Sequence, residues 1–273
     1  MNKVNELTKN QKNREKILVA NALDKVRFAN GHNIFQRMCF LDLAEQSLIN
    51  DAFKQHKIEN YEMFGGYNEA ERKALIVYPQ EHIDNIKDLK SYKKNIYEQV
   101  LTILRITLPK ELHGTFEHRT YLGAFMKLGV ERKKIGDILV RNDGADVIIS
   151  RDIEIYFSRN IKDLTRFQKA NIELVPYYEL KYVKPETEVM KINVSSMRLD
   201  CIVAEIAHCS RSAAEKLILE ERVFVNFKEE ISCSKKVEEN CYITIRGKGR
   251  VKILGITGTT KSRRLTLEIE KMK

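Results

Sequence analysis

The chain has 273 residues, 43% of them hydrophobic and 32% charged, with only 12 Gly and 4 Pro. This composition excludes a disordered or fibrous protein and predicts two or three globular domains. A formal charge of +10 and a pI near 9.2 imply an anionic partner, without separating nucleic acid from acidic membrane or acidic protein.

No apolar run approaches the roughly 18 residues that cross a bilayer. Met1–Glu6 leads into no apolar stretch or small-residue cleavage site. The expectation is a cytoplasmic protein with no membrane insertion. Five cysteines (Cys39, Cys201, Cys209, Cys233, Cys241) are an odd number without an export signal, so reduced thiols are expected. Seven residues separate Cys201 from Cys209 and Cys233 from Cys241, far from zinc-knuckle spacing. They read as buried apolar thiols, and neither a metal nor a cofactor is expected.

In chain order, residues 1–60 read as a helical N-terminal region. Apolar residues recur at helical spacing from Lys16 to Phe28 and from Phe40 to Phe53, broken near Gly31, after a polar start expected to fray. From Tyr61 the period changes. Ala74–Tyr78 predicts a buried strand ending at Pro79, and Ile96–Leu108 alternates apolar and polar residues up to Pro109. His118–Leu128 predicts a helix stopped by Gly129. Ile138–Val140 and Asp146–Ile149 flank an Asp-Gly turn, the signature of a hairpin. A helix over Ile155–Ile161 and a strand over Ile172–Val175 complete a mixed α+β domain spanning 61–184.

Pro185–Glu188 is the linker candidate, and 188–273 the third domain. Residues 190–273 hold seventeen Lys or Arg against eleven Asp or Glu, and Arg246–Arg264 has seven basic residues and no acidic one. Leu199, Ile202, Val203 and Ile206 mark one short helix. Ser210 is placed to cap a second, with Ala214, Leu217 and Ile218 facing inward. Val223–Asn226, Tyr242–Arg246 and Leu265–Ile269 read as strands. A turn presenting backbone N–H groups with Ser210, Arg211 and Ser212 suits phosphate oxygens.

These elements, in this order, resemble a known family. Arg-Leu-Asp at 198–200, Ser-Arg-Ser-x-Ala-x-x-Leu-Ile at 210–218, Val-x-Val-Asn at 223–226 and Ile-Arg-Gly-x-Gly-Arg at 245–250 match the alpha-L RNA-binding motif of small-subunit ribosomal protein S-four. The resemblance covers residues 190–255 and implies two helices packed on small antiparallel strands, contacting structured RNA. Phe227 stands where a glycine usually follows Val-Asn, and Asn240-Cys241 replaces a common Gly-Asp turn.

Upstream, Gly65-Gly66-Tyr67 with Glu71-Arg72, then His118–Met126, Gly129–Arg132 and Ile135–Ile138, are similar to signatures of the bacterial YlmH family. Thr120 departs from the acidic residue usual there. The resemblance covers residues 60–260. It implies rRNA or tRNA as partner, association with the large ribosomal subunit, a part in quality control of stalled peptidyl-tRNA, and a central domain that also binds RNA. No DNA is expected. The residues expected to meet RNA are Arg198, Ser210, Arg211, Ser212, Lys216, Arg222, Asn226, Arg246, Lys248 and Arg250.

Arg211, Arg246, Lys248 and Arg250 have a plainer reading as solvated charges. Glycines alternate with Arg246, Lys248 and Arg250 and let a backbone approach, which favours phosphate contact there. Arg263 and Arg264, expected in the final strand, equally suit a role in blunting an exposed edge. Asp200 sits in an Arg-Leu-Asp motif that pseudouridine synthases use for catalysis, but no Thr-Ser-Gly follows it, so a structural role at the helix start is expected. His118 lacks nucleophile context, and Gly65-Gly66 lacks the Gly-Lys-Ser/Thr of a phosphate loop. Glu71, Arg72, Arg132 and Asp137 read equally as fold-holding or RNA-facing. The expected function is therefore non-enzymatic RNA binding. The alternatives are an RNA-modifying enzyme (pseudouridine synthase or methyltransferase accessory) and a cell-division-linked scaffold.

Overall fold

The computed structural model describes residues 2–182 and 187–272. Pro185 and Glu186, half of the expected linker, lie outside them. The chain divides into two compact units, Met1–Val183 and Lys184–Lys273.

In the first unit, α1 (Asn2–His32) is helical from Asn2 onward rather than frayed over its polar start. The run from Phe40 is not helical at its beginning: β1 spans Gln36–Leu41 and α2 only Leu43–Gln55. Asp42 decides the boundary. Its carboxylate accepts from Glu45 N at 2.9 Å while Glu45 Oε2 accepts from Asp42 N at 2.8 Å, a reciprocal cap that residues 36–41 cannot supply. Extended geometry also sends Phe40 and Leu41 into different apolar clusters, Phe40 beside Ile76 and Ile148, Leu41 beside Ile49 and Leu75. With β2 (Tyr61–Phe64) and β3 (Lys73–Val77), β1 forms an antiparallel sheet in the order β1-β3-β2. Ala22 and Val26 of α1 and Ile49 and Phe53 of α2 share a core with its Leu75 and Val77.

After α3 (Gln80–Asn85), Asp88 caps α4 (Leu89–Val100), which runs without a turn into β4 (Leu101–Thr107). The alternating stretch Ile96–Leu108 is thus two elements. Ile96 and Val100 bury a helix face, whereas Leu101–Ile106 is buried on both sides, as a central strand must be. There follow α5 (His118–Lys127), β5 (Ile135–Arg141), β6 (Gly144–Ser150), α6 (Glu154–Asn160) and β7 (Asn171–Val175), giving an antiparallel sheet β5-β6-β4-β7. Tyr121, Phe125, Phe157 and Phe167 fill one face of it. Ile103 and Ile148 on the other meet Phe40, Ala74 and Ile76 of the first sheet.

Two charged clusters hold this unit. Asp146, wholly buried, accepts from Arg105 Nε and Nη2 (3.0 and 2.8 Å), from Arg141 Nη1 and from Lys181 N (2.9 Å). Burial pushes its carboxyl up, but these bonds outweigh burial and hold it below the usual range. Asp137 accepts from Tyr67 Oη (2.8 Å), Glu71 N (2.7 Å) and Arg72 N (3.0 Å). Arg72 Nε reaches the Ile135 carbonyl at 3.1 Å, and Arg132 Nη1 donates to the same carbonyl and to that of Gly136. Burial and the neighbouring Arg72 push Arg132 down to about 10. The signature residues Tyr67, Glu71, Arg72, Arg132 and Asp137 thus lock the β2–β3 loop to the start of β5. Gly65 belongs to the same lock: a Cβ there would stand 2.4 Å from Ala70 Cβ and 2.7 Å from Arg72 O.

In the second unit, β8 (Thr187–Val194), α7 (Leu199–Ala207), α8 (Arg211–Leu219), β9 (Val223–Val225), β10 (Lys228–Glu229), β11 (Tyr242–Ile245), β12 (Gly249–Thr259) and β13 (Leu265–Met272) follow in order. The strands form an antiparallel sheet, β10-β9-β11-β12-β13-β8. This is larger than the small strands expected, because β12 and β13 pair over most of their length and β8 adds to β13. Leu199, Ile202, Val203, Ala214 and Ile218 of the helices pack with Val223, Ile243, Ile245, Val251 and Leu267 of the sheet. Ile206 and Leu217 sit at the rim of that core, only partly buried. At about 1.5–3 kcal/mol per buried aliphatic side chain, this core alone accounts for the helices' adherence to the sheet.

Candidate nucleic-acid interface

The turn between α7 and α8 is set by its own residues. His208 ends α7 in the left-handed region (φ 51°), and Ser210 Oγ accepts from Ala213 N at 3.2 Å to cap α8. This is the cap that the Ser-Arg-Ser pattern predicts.

Arg198, the N-cap residue of α7, and Arg211, the first residue of α8, converge on one carboxylate. Asp200 is fully buried, and Arg198 grips it from Nε to Oδ1 (3.2 Å) and from Nη2 to Oδ2 (2.7 Å). Arg211 reaches Oδ2 through Nε (3.1 Å) and Nη2 (2.8 Å). The Arg198 bonds, with Arg211 beside them, hold the Asp200 carboxyl far below the usual carboxylate range. Glu215 lies 3.6 Å from Arg211 Nε. Two cations therefore face two anions; Arg211 ties α8 to the start of α7 and Arg198 holds the same carboxylate from within α7, while their side chains stay 54% and 41% exposed. Asp200 thus joins the start of α7 to the start of α8. Ser212 is exposed on the first turn of α8, and Lys216 follows further along the helix, 3.8 Å from Glu220.

The second group gathers at the far end of α8. Arg222 Nη2 donates to Arg246 O at 3.2 Å, and Arg246 N donates to Arg222 O at 2.9 Å, which joins the α8–β9 connection to the β11–β12 turn. Gly247 and Gly249 take φ of +80° and +100°, so the tight turn depends on them, and Lys248 stands exposed between. Arg250 Nε donates to Thr244 Oγ1 at 3.2 Å. Of the ten expected residues, Arg198, Ser210, Arg211 and Ser212 form one edge; Arg222, Arg246, Lys248 and Arg250 form the other. Lys216 lies on the helix between them, whose nine residues span about 13 Å at 1.5 Å each.

Asn226 stands apart. Its Oδ1 accepts from Tyr242 N at 2.9 Å and its N–H donates to Tyr242 O, so its carboxamide shapes the turn after β9. Arg263 and Arg264 lie in the β12–β13 turn, not in a strand. Thr260 N and Arg263 N close that turn on Arg264 O and Thr260 O. Arg264 pairs with Glu205 of α7 and β13 is an interior strand, so neither residue blunts a sheet edge. The sequence reading missed the ring-and-cation face formed by Phe224, Phe227 and Tyr242; strand alternation, with Val223, Val225, Ile243 and Ile245 inward, was the available signal.

Cys201 and Cys241 are buried in the second unit's core, with Cys209 and Cys233 packed partly against it. No group of three or more His, Cys, Asp or Glu is placed to hold a metal among the described residues. No described helix is long and apolar enough to cross a membrane. His118 is exposed at the start of α5.

Comparison with known proteins places the rest. Residues 95–179 match the family model described as "Putative RNA-binding domain in YlmH". Over 263 residues, 95% of this chain and 96% of the relative, the sequence is 27% identical to the ribosome-associated protein quality control protein P2 of Bacillus subtilis (strain 168). A solved structure, the cell division protein ylmH from Streptococcus pneumoniae, aligns over 61% of this chain and 93% of its own with 18% identity and a TM-score of 0.45. The chain is thus similar to YlmH proteins over residues 95–179 through the domain match, and to the Bacillus relative over nearly its whole length.

Proposed function

We propose that this chain is a non-enzymatic RNA-binding protein of the translation machinery. It docks on the large ribosomal subunit, touches rRNA and tRNA, and acts in the cytoplasm in quality control of stalled peptidyl-tRNA complexes. The observation that carries this reading is the basic rim of the second unit, where Arg222, Arg246 and Lys248 surround a glycine-supported turn at the end of α8. Phosphate attraction falls on such a rim without need of base contacts. The near full-length similarity to a ribosome-associated quality control protein supports the ribosomal target. Residues 61–184 supply a second RNA contact in this reading, supported by the family match on 95–179. Two contacts on one RNA raise affinity through effective concentration.

The test is sedimentation of the tagged protein in lysate through a sucrose gradient at low and high salt, beside a Lys216→Glu/Lys248→Glu variant. These lysines are exposed, and neither holds the Asp200 cluster, so the variant keeps its fold. Wild type that travels with the large subunit, and is released by salt and by the double change, supports the reading. Wild type that stays at the top of the gradient under all conditions overturns it.

A further inference from the structure

We infer that the face of the second unit's sheet carrying Phe224, Phe227 and Tyr242 is a stacking surface for unpaired RNA bases, adjoining the phosphate-facing rim at Arg246 and Arg250. The inference rests on the RNA-binding reading above and adds the kind of RNA it takes.

The sheet has two unlike faces. Val223, Val225, Ile243, Ile245, Val251 and Ile253 point into the core beneath α7 and α8. Alternation sends Phe224, Tyr242, Thr244, Arg250 and Lys252 to the other side, where none of them is buried. Register sets them in rows: Thr244 lies opposite both Phe224 and Arg250, and Tyr242 lies opposite Lys252.

Rings and cations interleave across this face. The Arg246 guanidinium carbon stands 4.9 Å from the Phe224 ring centroid and that of Arg250 5.0 Å from Phe227; Lys252 Nζ stands 5.9 Å from Tyr242. Phe227 and Tyr242 lie 5.2 Å apart with their planes inclined by 32°. Three aromatic rings outside the core, each with its own cation, present flat surfaces and positive charge together. An aromatic base with a phosphate on each side is complementary to that combination.

Phe227 supplies an independent observation. It and Asn226 both take positive φ, 66° and 47°. A bulky aromatic residue is strained in that region, and glycine is not. Turn geometry alone therefore favours glycine here, yet an aromatic ring is held in place, directed onto Tyr242. Strain of this kind points to a use for the ring beyond the turn. Charge completes the case: the β11–β12 turn and β12, which carry Arg246, Arg250 and Lys252, belong to a stretch, Arg246–Arg264, with no acidic residue, and Glu229 of β10 lies opposite Phe224.

The strain also provides a variant that tests use rather than folding. Phe227→Gly removes the ring where glycine is the conformationally preferred residue. The full-length protein is titrated against a fluorescein-labelled uridine 12-mer, which is unstructured, and against a labelled 12-base-pair RNA hairpin, both by anisotropy. The expected result is that wild type binds both. Phe227→Gly and Tyr242→Thr each weaken the 12-mer about tenfold and leave the hairpin within about twofold. Lys216→Glu/Lys248→Glu weakens the hairpin. Wild type that binds the hairpin but not the 12-mer, or Phe227→Gly that holds the 12-mer as tightly as wild type, overturns the stacking surface while leaving the RNA-binding reading intact. Wild type that binds neither RNA overturns both.

Discussion

Arg211 reaches back eleven residues to close on Asp200, placing Nε and Nη2 on a single carboxylate oxygen at 3.1 and 2.8 Å. Asp200 is buried and Arg198 holds its other edge, so the carboxylate is the pin through which the two helices of the second unit are joined. The same arrangement fixes where both guanidiniums present their exposed sides. An Arg-Leu-Asp motif that invites a catalytic reading thus acts as a positioning device for the helix edge.

Asp200→Asn is expected to destabilise α7 and α8 by about 2 kcal/mol. Hydrogen bonds to charged groups contribute roughly 1.5–3 kcal/mol each, discounted here because both arginines can turn into water. The sign of the pH dependence follows from the carboxyl being held below its ordinary 3.8. Its contribution is fully present above that value and is lost as the pH falls below about 4. Hydrogen exchange of the α7 amides should therefore speed up in wild type between pH 5 and pH 3, after correction for intrinsic rates. Asp200→Asn should be fast throughout and nearly flat; parallel pH profiles for the two proteins would remove the role assigned to the pin.

Gly144 and Gly129 separate two causes of glycine dependence. A Cβ on Gly144 (φ +149°) would stand 1.9 Å from Ile106 O, a backbone atom of the central strand that cannot give way. Gly129 (φ +75°) has open space around it. Gly144→Ala is expected to cost about 3 kcal/mol or more, with clash and strain acting together, and Gly129→Ala about 1 kcal/mol from conformation alone. Urea unfolding followed by circular dichroism compares them, and equal losses would show that the β4–β6 approach is not close enough to matter.

Local chemistry made much of the fold legible in the sequence. Ser210 announces the α8 cap, and the Asp-Gly step announces the β5–β6 hairpin, because each signal lies within a few residues of its effect. The α4–β4 junction was not legible, since Val100 and Leu101 are both apolar and no glycine or proline marks the change. Nor was β1, whose Phe40 and Leu41 fit a helical period until Asp42 caps the next helix. The candidate site divides in the same way. Arg246, Lys248 and Arg250 form a rim readable from composition and glycine spacing. The pairing of Arg198 and Arg211 with Asp200, the use of Asn226 Oδ1 within its own turn, and the capture of Asp137 by Tyr67 and the Glu71 and Arg72 amides are tertiary facts that spacing does not encode.

Asp146 should be the most sensitive acid in the first unit. It is 0% exposed, and Arg105 and Arg141 beside it are only 10% exposed each. Asp146→Ala leaves two buried guanidiniums without their carboxylate and is expected to cost about 3–5 kcal/mol. Replacing Arg105 and Asp146 together, as Arg105→Met/Asp146→Leu, should cost clearly less than the single change, because only Arg141 then loses Asp146, and it keeps Asp143 at 2.9 Å. Urea midpoints of the three proteins decide it. A double variant at least as unstable as Asp146→Ala would mean that the cluster contributes net stability as a pair.

Salt dependence distinguishes a phosphate contact from a solvated charge at each rim residue. Every phosphate neutralised on duplex nucleic acid steepens the fall of log affinity against log salt by about 0.9, and on single strands by about 0.7. Lys248 stands exposed at the tip of the β11–β12 turn, and its backbone N–H to Ile245 O holds the turn independently of the side chain. Lys248→Gln should therefore flatten the slope on a structured RNA by about one while leaving thermal unfolding unchanged. Arg211→Gln should act differently, since its guanidinium is shared with Asp200. A loss of stability should accompany any change in slope, and Arg211→Lys should restore charge but not the two-point grip. If Lys248→Gln weakens binding equally at all salt concentrations, its contact is with something other than phosphate, and the rim's electrostatic role passes to Arg222 and Arg246 alone.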